Sequence, residues 1–305
     1  ADLRHVVKID SVGDTAGNKT TNGNNLLAAM NAIGGGNTVP TLILLGSGTY
    51  DIGASPLLMK PEVVVRGTLE TKISGSGSTV VFSEVDCEFQ NVELISRADG
   101  GTIVDVIAGE IEIRDSDITH EGADDHPSSF CVSVIGGASA ELVSTEISFE
   151  SSGASTGGIF AILVAGEGIA GSRVVMENSH ISLVDSGESM DLTGASIGNG
   201  TAVNFTPELE MRGGWIDIFG GDGRVNGIST SSDGKFESLA ASILTASSSG
   251  DFGGTNALNN SGLINVTASL FKGARVGSGD YFYAQSANHT GSGLRPITNT
   301  LTPEP

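Results

Sequence analysis

The sequence predicts an all-β fold, a single parallel β-helix with an N-terminal capping helix. Three observations carry this. A strand-turn-strand pattern recurs seven times between residues 87 and 272; the repeats alternate with period two and lack helical spacing; and the composition is rich in turn formers, with 44 glycines among 305 residues and only 5% aromatics.

Each copy centres on one aliphatic residue: Leu94, Ile118, Ile147, Ile181, Ile216, Ile243 and Leu270, separated by 24, 29, 34, 35, 27 and 27 residues. Periods of this size mark stacked units that each bury one face against the next. Seven residues before each centre stand Cys87, Ile111, Ala140, Val174, Leu209, Phe236 and Leu263, and five before the first five centres stand Phe89, Ile113, Leu142, Met176 and Met211. Two apolar columns two residues apart turn the column between them outward, as a strand requires. That outward column reads Glu88, Glu112, Glu141, Val175, Glu210, Glu237 and Ile264. In the last two copies the nearer apolar residue is four before the centre, at Leu239 and Val266, which predicts a turn one residue shorter.

Turn formers sit three before the centre at Asn91, Asp115, Ser144, Asn178 and Gly213, residue types that tolerate left-handed backbone or bond their own turn. Small residues follow them, as a tight interior corner demands. The segments between copies supply a third strand, expected at Thr102–Ile107, Phe130–Ile135, Gly158–Val164 and Gly200–Phe205.

At the N-terminus, Asn24 and Asn25 precede Leu26, Leu27, Ala28, Ala29, Met30, Ala32 and Ile33, which predicts a helix over about 24–33 ended by Gly34-Gly-Gly36. Buried strands follow at Thr41–Leu45 and Val63–Val65. The organisation expected is a cap over 1–60, rungs over 61–275 and a C-terminal tail over 276–305, because the rhythm of the pattern stops beyond Lys272.

The charge balance, 15 basic against 36 acidic residues, gives −21. No basic stripe is available for phosphates, so nucleic acid is excluded as a partner, and no apolar run reaches the ~18 residues of a membrane span. High acidity with few lysines suits a secreted protein in salty water. A first residue other than Met, Ala1, fits a chain matured by cleavage and fits a shortened sequence equally. Cys87 lies in the inward column and Cys131 in a strand of another face; a disulfide between them and two buried thiols are both open. Six Asn-X-Ser/Thr sequons begin at Asn18, Asn199, Asn204, Asn259, Asn265 and Asn288.

The runs Gly13-Asp14, Asn25-Leu-Leu-Ala-Ala-Met-Asn-Ala-Ile33, Leu42-Ile-Leu-Leu-Gly-Ser-Gly-Thr-Tyr50, Lys60-Pro-Glu-Val-Val-Val-Arg-Gly67 and Lys72-Ile-Ser-Gly-Ser76 resemble the opening of pectinesterase-like proteins of the pectin-lyase-like superfamily. The resemblance covers about residues 5–80 and implies a right-handed β-helix whose first coil is capped by a short helix. It stops short of the chemistry. Segments resembling the catalytic Gln-Ala-Val-Ala-Leu-Arg, Tyr-Gln-Asp-Thr-Leu and Asp-Phe-Ile-Phe-Gly of that family are missing, and Thr102–Val106 and Phe130–Val134 stand in corresponding places. No catalytic residue is assigned. A fold hosts many functions, so activity is not inherited from architecture.

Three groups remain as candidates. His120, Glu121, Asp124, Asp125 and His126 gather imidazoles and carboxylates in an expected loop. Glu93, Asp117 and Glu146 form an outward acidic column that a Ca²⁺ ion would relieve, since hard cations take clustered carboxylates; as a charged edge it would equally oppose lateral aggregation. Trp215, the one tryptophan, stands outward beside His180 and Asp217 and could serve as a ligand platform for a surface glycan. No other cofactor is implied.

An end without a cap leaves an open row of hydrogen-bonding groups, which predicts a homo-oligomer formed end to end or through the C-terminal tail. Together these features point to a secreted, non-catalytic scaffold at the cell surface or beyond it, an extracellular filament or appendage subunit or an adhesion module. The alternative is a carbohydrate-active enzyme, a polysaccharide lyase or esterase acting on the side of the β-helix.

Overall fold

A computed structural model describes residues 5–290 except 69, 99, 122–128, 152–156, 167–170, 186–189, 199–205, 221–223, 248–254, 268, 273, 277–279 and 285–287. Three wholly parallel sheets wind along the chain, of eleven, nine and ten strands, and strands from all three follow one another in every turn. This is an all-β parallel β-helix. At about 4.8 Å per step, the eleven-stranded sheet runs roughly 48 Å along the axis.

We call the eleven-stranded sheet the first, the ten-stranded sheet that follows it across a tight turn the second, and the nine-stranded sheet the third. The register of the second sheet aligns Leu94, Ile118, Ile147, Ile181, Ile216 and Ile243 as one inward row. It also extends the ladder N-terminally, with Ile73 opposite Leu94 and Tyr50 opposite Ile73. In the first sheet, Cys87, Ile111, Ala140, Val174, Leu209 and Phe236 align, as do Phe89, Ile113, Leu142, Met176 and Met211. These side chains fill one continuous core.

The turn joining the first and second sheets explains why the residues at its tip recur. Asn91, Asp115, Ser144, Asn178, Gly213 and Ala240 all have positive φ, between 48° and 73°. Left-handed backbone is tolerated best by Gly, Asn and Asp, so this column is restricted by sterics more than by polarity. Each of these N–H groups donates to a carbonyl of the following rung at 2.8–3.1 Å. The next residue turns into the corner, where the hydroxyls of Ser116, Ser179 and Ser269 accept from the backbone N–H of Val92, Thr145 and Ala241 one rung earlier. At Gly214 there is room for no side chain at all, because a Cβ would lie 1.9 Å from the Ser179 carbonyl oxygen.

Several expectations are corrected. The turns of the last two copies are not shortened. In the sixth, Leu239 is exposed and the inward position belongs to Ser238, whose hydroxyl pairs with Ser269 at 3.0 Å. In the seventh, Phe271 rather than Leu270 stands opposite Ile243, and Ile264 rather than Leu263 opposite Phe236, so the whole copy is displaced by one residue and Asn265 takes the outward place assigned to Ile264. A slip of one residue exchanges inward and outward faces, and a copy rich in apolar residues on both faces hides it. The ladder also continues past Lys272, through Ala274–Val276, Asp280–Ala284 and Asn288–Thr290, one strand for each sheet. In the third sheet, the slot beside Gly158–Val164 is taken by Asp191–Ile197, while 200–205 lie outside the described residues.

The capping helix α1 spans Ala16–Ala32, beginning eight residues earlier than expected, with Thr15 as N-cap. Its first half reads poorly as helix because Gly17, Thr20, Thr21, Asn22 and Gly23 lack propensity. Tertiary contacts hold it instead. Asn22 is fully buried, accepting from Val12 N–H and donating to the Ser11 hydroxyl and to the Gly13 and Thr49 carbonyls. Gly23 lies so close to the Asp51 carbonyl that a Cβ would meet its oxygen at 1.9 Å. Asn22, Leu26 and Met30, four apart, form the buried stripe over the second sheet's first strand, Gly48–Gly53.

Cys87 and Cys131 are both buried, and no disulfide joins them to each other. Burial pushes the Cys87 thiol up to about 12, against the opposing effect of the Ser83 hydroxyl 3.3 Å away. No described helix is long and apolar enough to cross a membrane.

Candidate ligand-binding face

Outward side chains of a parallel β-helix form straight columns, because each rung repeats the register of the last. On the first sheet, the column Glu88, Glu112, Glu141, Val175, Glu210, Glu237, Asn265 is less acidic than it reads. Basic side chains from adjoining columns reach across to it. Arg114 pairs with Glu112 and lies 3.9 Å from Glu141; Arg173 and Arg212 hold Glu210 at 2.5 and 2.7 Å; Arg212 also holds Glu177 at 2.8 Å. Lys235 bridges Glu208 and Glu237 at 3.0 and 2.9 Å. The Arg212 guanidinium, followed by that of Arg173, holds the Glu210 carboxyl below its ordinary range, and Lys235 does the same for Glu237.

The second sheet carries the acidic column Glu93, Asp117, Glu146, and the register confirms that the three carboxylates stand on successive rungs. Each end of the run has a side chain in contact. Lys72 lies 2.6 Å from Glu93, and His180 Nε2 lies 3.2 Å from Glu146. Asp117 between them has no cation in contact, and its carboxyl is held above the ordinary range by partial burial, then by Glu146 and Glu93, against weaker relief from His180 and Lys72. Among the described residues no group of three or more His, Cys, Asp or Glu side chains is arranged to hold a metal ion.

His180 does more than pair with Glu146. Its ring stacks on Trp215, one rung on, with centroids 4.6 Å apart and planes at 14°. Trp215 is 47% exposed, and Phe219 on the same strand is 40% exposed, with exposed Asp217 between them. Alternation along Trp215–Gly220 puts all three on the outer surface. Beside them runs a column of hydroxyls, Thr119, Ser148 and Ser182, leading by register to Asp217. Thr119 and Ser148 are hydrogen-bonded at 3.2 Å. This column floors a groove of about 540 Å³ whose walls include Glu121, Glu146, Glu150 and Val184. The structure thus brings Trp215, His180 and Asp217 together just beyond the lining of this groove, with His180 opposite Glu146 and Asp217 opposite Ser182, and individual residues gave no sign of the groove.

His120 is a correction. The sequence placed it in a loop with Glu121, but it occupies an inward position, 4% exposed, with its ring 5.7 Å from Phe149. The alternation of Asp117–His120 fixes this, since Ile118 and His120 share a face. Glu121 pairs with Arg97 at 3.1 Å. Asp124, Asp125 and His126 lie outside the described residues.

On the third sheet, Thr102, Phe130, Phe160, Thr193 and Asn226 form one outward column and Asp105, Ser133, Leu163 and Ser196 another. Phe130 and Phe160 stack with centroids 5.3 Å apart. Asp105 was not singled out in the sequence, although burial raises its carboxyl above the ordinary range, partly offset by a hydrogen bond from Ser133. Only the register reveals it, by placing Ser133 opposite Asp105.

No family model matches the chain, and no curated protein matches it. Among solved structures, the chain is similar to the A-module of a mannuronan C-5 epimerase from Azotobacter vinelandii, with 14% identity over 96% of this chain and 99% of that one and a TM-score of 0.22.

Proposed function

We propose that the chain is a secreted, non-catalytic β-helix scaffold, an extracellular rod that serves as a filament or appendage subunit or as an adhesion module. The observation that supports this best is the pairing on the first sheet. Arg114–Glu141, Arg173–Glu210, Arg212–Glu177 and Lys235–Glu208 cross from one rung to the next, while Arg114, Arg212 and Lys235 also engage Glu112, Glu210 and Glu237 on their own strands. Carboxylates tied between rungs stiffen the stack and are poorly placed to act as free acids or bases. Each such pair is worth little alone, but a row of them resists sliding of one rung on the next.

An open sheet edge supports assembly of copies end to end. Among the described residues the first sheet's outermost strand is His5–Ile9, which pairs there with Thr41–Leu45 alone and presents exposed Val6. A second copy's last strand would continue the ladder. Electron microscopy of the native protein, with a degradation screen against neutral, acidic and amino polysaccharides, tests the reading. Rods longer than one molecule, with no glycan cleaved, are expected. Monomers that cleave a glycan would overturn it.

One observation favours the alternative, a carbohydrate-active enzyme: Asp105 stands on the third sheet opposite Ser133, and partial burial holds its carboxyl above the ordinary range. If any glycan is cleaved, loss of that activity in Asp105→Asn with the fold retained would assign it there.

A further inference from the structure

We infer that the groove of the second sheet is a binding site for an amino-sugar oligomer, with Trp215 as its stacking platform. Four features converge. First, Trp215 is both exposed and held still, since His180 covers one face of the indole and is itself fixed by Glu146. On the other side the register places the small Ser242 opposite Trp215, a neighbour with little bulk to set against the C–H face of a pyranose.

Second, the groove has the size of a ligand site, about 540 Å³, and is lined by hydroxyls and carboxylates that suit sugar hydroxyls. Third, the column Thr119, Ser148, Ser182, Asp217 advances one rung at a time, about 4.8 Å. Three such steps, roughly 14 Å, offer an extended oligosaccharide a polar group at every rung. Phe219, exposed beyond Asp217, adds a second apolar contact on the strand that carries Trp215.

Fourth, charge selects among sugars. Glu150 lines the groove, Asp217 stands one rung beyond Ser182, and the whole chain carries −21, so an acidic glycan is repelled while ammonium groups are attracted. A neutral glycan would gain the stacking without the charge pairing. The inference does not depend on the scaffold reading, because the site binds whether or not the rod is catalytic. If the oligomer is cleaved, the scaffold reading falls and the site stands.

The protein reports on the site itself, since Trp215 is its one tryptophan. Fluorescence titration of the full chain with glucosamine hexamer should change tryptophan emission saturably, with its fully N-acetylated form binding more weakly and galacturonate hexamer not binding. By calorimetry, Trp215→Ala should weaken glucosamine hexamer roughly tenfold, the upper range for one aromatic contact. Asp217→Asn should narrow the gap between the amino and N-acetylated forms without changing the melting temperature. Should the glucosamine hexamer leave emission unchanged, or bind Trp215→Ala as tightly as the native chain, the inference is overturned. Equal or tighter binding of the N-acetylated form would overturn the amino-sugar assignment.

Discussion

Replacing Asp117 by asparagine should stabilise the protein at neutral pH. Asp117 stands one rung from Glu93 and one from Glu146. At about 4.8 Å in water each repulsion is roughly 0.9 kcal/mol, so the pair costs about 1.7 kcal/mol. Lys72 acts from two rungs away, at roughly 10 Å, where salt screens it to a few tenths of a kcal/mol. The net penalty is about 1 kcal/mol, and the amide removes it while keeping size and hydrogen-bonding capacity. For a chain of this length that is a rise of about 2 °C in melting temperature.

The pH dependence fixes the sign. Folding raises the Asp117 carboxyl above its ordinary 3.8, so the folded state binds the proton more tightly than the unfolded one. The group's destabilising effect is absent below 3.8, grows as pH rises through the raised value, and is complete at neutrality. Melting curves of Asp117→Asn and the native chain should therefore coincide near pH 3 and separate by pH 7, and 1 M salt should shrink the gap. A variant less stable than the native chain at pH 7, or a gap that ignores pH, would refute the reasoning.

Other outcomes follow from the same geometry. Gly214→Ala should cost about 3 kcal/mol or more in denaturant unfolding, since the new Cβ meets the Ser179 carbonyl and φ is +76°. Ala240→Asn should gain about 0.5–1 kcal/mol, because Ala240 holds φ of 55° at an exposed turn where asparagine is at ease. Melting curves with calcium and with a chelator should coincide, as Lys72 and His180 already serve the ends of the acidic column; a calcium-dependent rise would restore Glu93, Asp117 and Glu146 as ligands. Cys87, buried and pushed up to about 12, should resist alkylation by iodoacetamide in the folded protein and react once it is unfolded.

The ladder was legible because sheet register and sequence period are the same information in a β-helix. An apolar residue at a fixed offset from Ile118 or Ile147 had one place to go. Legibility failed where this redundancy failed. The seventh copy offers Leu263 and Ile264 side by side, and Leu270 beside Phe271, so either face could be taken as inward. The helix was read too short because Asn22 and Gly23 serve burial and close approach rather than propensity. The candidate platform of Trp215, His180 and Asp217 was visible as a column, but the groove leading to it was not. Its floor is made of Thr119, Ser148 and Ser182, residues that carry no signal until the rungs stack them.

Charge divides the surface in a way the net −21 conceals. The first sheet interleaves its carboxylates with arginine and lysine, and Glu210 and Glu237 are consequently held below their ordinary 4.5. A depressed carboxyl contributes stability that is present above the unfolded value and lost as pH falls through the folded one. The second sheet does the reverse at Asp117, whose ionisation is unfavourable in the fold. One flank is therefore tightened by neutral pH and the other is strained by it. The strained flank is the one that presents Trp215, a hydroxyl-floored groove and the carboxylates of Glu150 and Asp217, neither of which has an ion-pair partner among the described residues. Glu150 and Asp217, beside the exposed Trp215, would draw a cationic ligand to that groove, whereas Glu210 and Glu237 are held by arginine and lysine on the first sheet.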